Sequence, residues 1–256
     1  MLFDTHTHLN DEAYKDNLEE VIKRAQDKNV NKMIVVGYDL KSSLEAIRIA
    51  KQYDFIYAAI GIHPNTKDEL NEQTLNKIEE LLNESKVVAI GEIGLDYHYD
   101  KTYKKLQKEY FQKQIILANK YNKAIIIHSR DAGQETLEVL KNNKQYIDRG
   151  IMHCYSYSLE LAREFVKLGL KISFAGPLTF LNAKTNKGIV EELSFEDLLI
   201  ETDCPYLAPH PYRGKQNEPS YLYLVAEEMA RLKGVSLEEV AKTTTNNALE
   251  VFDIKK

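Results

Sequence analysis

Six residues with metal-ligand chemistry recur at the ends of apolar runs along the chain: His6, His8, Glu92, His128, His153 and Asp203. His6 and His8 are two apart in LFDTHTHL, so on an extended strand their side chains, and that of Asp4, are expected on one face. Two imidazoles aimed at one point are what a zinc-like site requires, although a lone His-x-His pair is equally a polar strand end in water. Glu92 closes the run VVAIGE between Gly91 and Gly94, where a carboxylate is costly to bury unpaired. VVAIGEIGLD offers no Lys or Arg, so a cation is the expected partner, and two carboxylate oxygens can bridge two of them. His128 ends AIII, His153 ends GIM and Asp203 ends LLIET. One buried histidine is more often a hydrogen-bonded core residue than a ligand. Two at equivalent places of successive strands, opposite a His-x-His pair, are better explained as ligands. Four imidazoles and two carboxylates suit Zn, Mn, Fe or Ni better than Mg or Ca. They are too many for one tetrahedral site with an open position, and enough for two divalent ions sharing Glu92 and a water.

The elements that must position these groups can be read from hydropathy. Eight short, β-branched, nearly continuous apolar runs start at Leu2, Lys32, Phe55, Val87, Ala124, Gly150, Leu170 and Leu198, the signature of strands buried on both faces. Amphipathic stretches of helical period separate most of them, among them LEEVIKRAQDKNV after Asn17 and YKKLQKEYFQKQIILANKYN. Eight such units in 256 residues allot about 32 to each, the length of a strand–helix repeat. The expected fold is therefore α/β: a (β/α)8 TIM barrel of parallel strands, closed so that no edge is left. After the eighth run comes CPYLAPHPYRGKQNEP, with four of the six prolines, and then two extra C-terminal helices. The second opens on Ser236 with Glu239 three residues on, a capping box. The long loop leaves the end of the last strand, where barrel enzymes keep their chemistry. No linker, repeat or low-complexity tract divides residues 1–256, so one domain is expected.

Charge and composition exclude several classes. No apolar run reaches the roughly 18 residues of a membrane span, and no basic, then apolar leader is visible. Cys154 and Cys204 form no Cys-x-x-Cys pair and are expected to stay reduced, in keeping with a cytoplasmic protein. A net charge of −5 with no basic arm argues against gripping long duplex through a row of phosphates. Two bound cations would supply their own local positive field, so a single phosphate remains an acceptable substrate group.

At these residues the chain resembles the TatD family of metal-dependent deoxyribonucleases, within the amidohydrolase-type barrels. The matching segments are DTHTHL, GIHP, GEIGLDY, HSRDA, HCYS, SFAGPLTF, ETDCPYLAP and RGKQNEP, in order over nearly the whole chain. Gln216 stands where a basic residue is expected, and His210 is unusual in its loop. The resemblance implies that His6, His8, Glu92 and Asp203 hold one ion and that Glu92, His128 and His153 hold the other. It implies two divalent metals, whether Mg, Mn or Zn, and a nucleic-acid substrate: DNA ends or single strands, cut from the 3′ end, with RNA left open. A monomer is expected.

Two cations can acidify a bridging water, polarise a phosphoryl oxygen and steady the leaving oxygen, with Asp203 as general base and Glu92 as the shared carboxylate. His63, in GIHP at the end of the third strand, has no evident metal position and is expected to contact substrate. Arg130, two residues past His128, and Arg213, in the long loop, are expected to reach phosphate. Glu201 shares the parity of Asp203 and is expected to orient a ligand, whereas Cys154 and Cys204 should turn away from the metals by alternation. The competing readings are an amidohydrolase or esterase with the same metal site, including a deacylase of charged tRNA, and a barrel kept only as a binding module. An amide substrate has no use for a basic rim, and a binding module has no use for six intact ligands.

Overall fold

The computed structural model describes residues 1–255 and shows eight parallel strands in sequence order, β1-β2-β3-β4-β5-β6-β7-β8. They are β1 (Leu2–Thr7), β2 (Val30–Val36), β3 (Ile56–Ile60), β4 (Val87–Asp96), β5 (Ala124–Arg130), β6 (Gly150–Met152), β7 (Leu170–Phe174) and β8 (Leu198–Ile200). The seam between β8 and β1 closes just beyond β8. Asp203 N–H donates to His6 O at 3.0 Å and His8 N–H to Cys204 O at 2.8 Å. Thr202 adds its backbone N–H and its hydroxyl to the buried Asp4 carboxylate, at 2.9 and 2.6 Å. The barrel is thus tied shut at the residues that carry three of the expected ligands.

Nine α-helices surround the strands among the described residues, and the amphipathic stretches read from the sequence all form. They include α1 (Leu18–Asp27), α2 (Leu40–Gln52), α3 (Glu72–Leu81), α4 (Lys104–Lys120), α5 (Gly133–Asn142) and α6 (Leu159–Lys167). One further helix, α7 (Lys184–Glu192), lies outside those stretches: Gly188 falls within it and only Ile189 and Val190 are buried. After α8 (Leu222–Lys233) the chain turns at Gly234, left-handed at φ +68°. α9 (Leu237–Val251) starts at Ser236, whose hydroxyl accepts the Glu239 N–H at 3.1 Å, one half of the expected capping box. None of the described helices is long and apolar enough to cross a membrane.

Outward-facing strand residues such as Met33, Ile60, Ile93, Ile127 and Ile172 pack under the helices. Inward-facing Phe3, Ile34, Val36, Ala59, Ile126 and Leu199 fill the barrel and meet Leu249, Val251, Phe252 and Ile254. The end of α9 thus plugs the floor at the N-terminal ends of the strands, leaving the opposite mouth for the polar groups. Phe252→Ala should destabilise the protein by about 3–5 kcal/mol, since its ring is buried 6.2 Å from that of Phe3. Urea unfolding measures this, and the metal content of the folded variant should stay at the wild-type level.

Candidate metal centre

Two one-residue irregularities aim the ligands. Between Asp4 and Thr7, β1 spends three steps on two of β2, because Asp4 pairs with Met33 and Thr7 with Val35. Between Ile90 and Ile93, β4 does the same against Ile125 and Ile127 of β5. Such bulges reverse the alternation of everything beyond them. Phe3 and Thr5 point inward before the first bulge, and His6 and His8 after it. Asp4 therefore does not share the face of the histidines, contrary to expectation: it lies on the outer side, bound to Thr202. In β4 the inward set passes from Ala89 to Glu92 and Asp96. Gly94, at φ +143°, permits this close approach, since a Cβ there would stand 1.9 Å from the His128 carbonyl oxygen.

Around Glu92 the side-chain nitrogens form two sets, one for each carboxylate oxygen. Oε2 lies 3.6 Å from His6 Nε2 and 3.8 Å from His8 Nε2. Asp203 Oδ1 lies 3.6 and 3.5 Å from the same two nitrogens, which are 3.1 Å apart. These separations match the edges, about 3.4 Å, of a tetrahedron of ligand atoms about 2.1 Å from its centre. Oε1 faces His128 Nδ1 at 2.7 Å, His153 Nε2 at 2.9 Å and His63 Nε2 at 3.5 Å. All six expected ligands are brought together, and the donor set fits divalent cations. Among the described residues three triads lie close enough to hold an ion: His6–His8–Asp203 and His6–His153–Glu201, which share His6, and His63–Glu92–His128.

The far nitrogen of each ring decides what the near one can do. His8 Nδ1 lies 2.9 Å from Val36 O, His128 Nε2 lies 3.0 Å from Asp96 Oδ2, and His153 Nδ1 lies 3.2 Å from Glu201 Oε1. Each outer partner is an acceptor, so each outer nitrogen carries the proton and the inner one keeps its lone pair for a cation. His63 is the reverse. Its Nδ1 accepts the Asn65 backbone N–H at 3.0 Å, so the nitrogen aimed at Glu92 carries the hydrogen. Asn65 also donates its side-chain amide to Asp96 Oδ2 at 2.8 Å, and so sets His63 as a donor and His128 as an acceptor together. Glu201 orients His153, as expected, and is itself held by Ser173 Oγ at 2.6 Å and Cys154 N–H at 2.7 Å.

The charges follow from this packing. Burial opposes ionisation of Glu92, yet the imidazoles of His153, His63 and His128 overcome it and hold the carboxyl well below the usual range. Asp203 behaves alike, with His8 outweighing its desolvation. Asp96, despite desolvation, is held down to about 2, chiefly by His128. Among the described residues no Lys or Arg pairs with Glu92 or Asp203; imidazoles are their only ion-pair partners. Desolvation and the neighbouring His128 lower the pKa of His63.

A cavity of about 760 Å³ opens over these groups at the C-terminal mouth and is lined by Tyr38, Tyr99, Arg130, Cys154 and Tyr206 as well as by His8, Glu92, His128, His153 and Asp203, with His6 buried beneath. Arg130 reaches it, as expected. Arg213 does not line it: the side chain is exposed, with its guanidinium 4.5 Å over the Phe180 ring. Cys204 is buried away from the centre, but Cys154 lines the cavity, against expectation. The reason is that β6 ends at Met152 and Cys154 takes a left-handed φ of +43°, so strand alternation no longer governs it. Asp96 and Asn65 escaped the sequence reading. Asp96 had a signal, a carboxylate at the end of GEIGLD in step with Glu92; Asn65 had none.

A parallel barrel with a histidine–carboxylate cluster at its C-terminal mouth defines the class of metal-dependent barrel hydrolases. The chain matches the model of the TatD related DNase family over residues 3–253, and it belongs to that family. It is 52% identical over 254 residues to YabD of Bacillus subtilis, described as an uncharacterized metal-dependent hydrolase, with 99% of this chain and 100% of the relative covered. It is 37% identical over 257 residues to YcfH of Escherichia coli, described in the same words, covering 99% and 96%. The crystal structure of YJJV, a TatD homolog from Escherichia coli, superposes with a TM-score of 0.94 at 29% identity, covering 99% of this chain and 98% of that one.

His63 and His128 make the ring assignment testable, because both face Glu92 Oε1. His128→Ala should lose bound metal, while His63→Ala should keep it and lose about 100- to 1000-fold in kcat, as for removal of one transition-state donor. Metal analysis beside steady-state kinetics checks this, and metal loss in His63→Ala would make that residue a ligand.

Proposed function

We propose that this protein is a phosphodiesterase that removes nucleotides from the 3′ end of single-stranded DNA, with one divalent cation held in each of the two ligand sets. The observation that carries the reading is Glu92, whose two oxygens face different groups of nitrogens from the centre of the site. His6, His8 and Asp203 would hold one ion with Oε2, and His128 and His153 the other with Oε1. When bound, such ions supply charge neutralisation at a phosphoryl group and activation of a water.

The remaining chemistry belongs to the side chains. Asp203 borders the cavity, is ionised, and serves as the acceptor for a proton from the attacking water. His63 donates its Nε2–H to a phosphate oxygen beside Glu92. Among the described residues Arg130 is the only Lys or Arg lining the cavity, and it supplies the fixed positive charge that a phosphodiester uses and a neutral amide does not. Arg213 lies further out, on Phe180, and has at most a contact with the trailing strand. The family match and a net charge of −5 with no basic arm support an end-acting enzyme rather than one that tracks along duplex. A reducing compartment such as the cytoplasm fits two free thiols, one buried and one in the cavity wall.

Glu92→Gln should abolish turnover and lower bound metal, because a neutral amide bridges two cations poorly; near-normal metal and activity would sink the two-ion reading. The substrate is tested with a 5′-labelled single strand run beside the same sequence as a blunt duplex. A ladder shortening from the 3′ end of the single strand is expected. Internal cuts in duplex at matched rates, or hydrolysis of a cyclic amide without nuclease activity, would overturn the assignment.

A further inference from the structure

We propose that Tyr99 and Arg130 together form a nucleoside subsite on the rim of the cavity, where an unpaired base stacks on Tyr99 and its adjoining phosphate meets Arg130. This rests on the nucleic-acid reading above and specifies how the strand is held. Tyr99 stands three residues beyond the end of β4 and lines the cavity, yet its side chain is 72% exposed. A ring that exposed contributes little to the core, so packing does not explain it. Nor is it loose. The Arg130 guanidinium lies over one ring face, 5.2 Å from the centroid, and Arg130 Nη1 donates to the Tyr99 hydroxyl at 3.3 Å. The His98 ring stands edge-on at 4.9 Å and 85°, and is itself held by Asp131 at 3.1 Å. The ring is thus braced by two neighbours while remaining mostly exposed to solvent.

The chemistry of the wall selects the occupant. Glu92, Asp96 and Asp203 make the cavity acidic, and Arg130 is its one Lys or Arg among the described residues. With Nη1 on the Tyr99 hydroxyl, the Arg130 guanidinium keeps its remaining N–H groups for phosphate oxygens. An open aromatic face beside a phosphate-binding cation is how single strands are held without regard to sequence. A duplex cannot use this face, because its bases are already stacked on each other.

The chain contains no tryptophan, so Tyr99→Trp installs a single fluorescent reporter at the subsite. The metal-loaded variant is titrated with a phosphorothioate hexanucleotide of mixed sequence and with an abasic strand of the same length. Saturable quenching by the base-bearing strand is expected, with an apparent Kd at least about 5-fold tighter than for the abasic strand. In turnover, Tyr99→Ala should raise KM for a single strand about 5- to 150-fold, and Tyr99→Phe under about threefold. Equal quenching and affinity for the two strands, or an unchanged KM in Tyr99→Ala, would overturn the subsite. Wild-type protein that cleaves no strand, while the base-bearing strand still quenches the indole of the Tyr99→Trp variant, would overturn the hydrolytic reading and leave the subsite standing.

Discussion

A buried carboxylate with no basic residue to neutralise it is the constraint on which this molecule is organised. Glu92 is 5% exposed and, among the described residues, sits among imidazoles alone. An isolated charge so placed would be strongly destabilising or would be protonated. Its ionisation depends on positive charge delivered through the nitrogen lone pairs of three strand ends, either as protons or as cations, and the two compete for the same nitrogens. Barrel closure, the two bulges and the outer carboxylates all serve to place those lone pairs on either side of it.

The supporting layer is as specific as the ligands. Asp96, Glu201 and the Val36 carbonyl each take the outer N–H of one ring and so turn its inner nitrogen into a donor of electrons. Asn65 does the opposite to His63 with one backbone N–H. Two imidazoles that face the same oxygen thereby acquire different chemistry, a distinction set by what lies behind them. The left-handed backbone at Asp203, φ +56°, belongs to the same design. Asp tolerates that conformation better than most residues, and here the turn brings its carboxylate to His6 and His8 while its N–H ties the barrel seam.

The mouth is chemically one-sided. Arg130 and Tyr99 stand on the β4–β5 side, whereas Tyr206, on the β8 side, gives its hydroxyl to Asp11 at 2.9 Å. β4 and β8 are opposite each other in a ring of eight strands. A single cation on one wall thus faces a carboxylate-held tyrosine on the other.

Residue type and strand period were enough to read the barrel and the six groups at its mouth, because buried parallel strands impose apolar runs and a polar ligand at their ends interrupts those runs visibly. The same logic placed Glu201 behind the site and located both C-terminal helices. The face of each residue was another matter. Asp4 has the parity of His6 and His8 in LFDTHTHL, yet one extra residue in β1 separates them. A bulge depends on the neighbouring strand's register, which no local pattern encodes. Cys154 entered the cavity because its strand stopped two residues earlier, and α7 formed on Ile189 and Val190 against neighbours supplied by the rest of the fold. The division of labour between His63 and His128 likewise rests on Asn65 and Asp96, whose meeting across the ends of β3, β4 and β5 exists only once the strands are side by side. Sequence determined which chemistry was present; tertiary contact decided which atoms face it and which of them carry the protons.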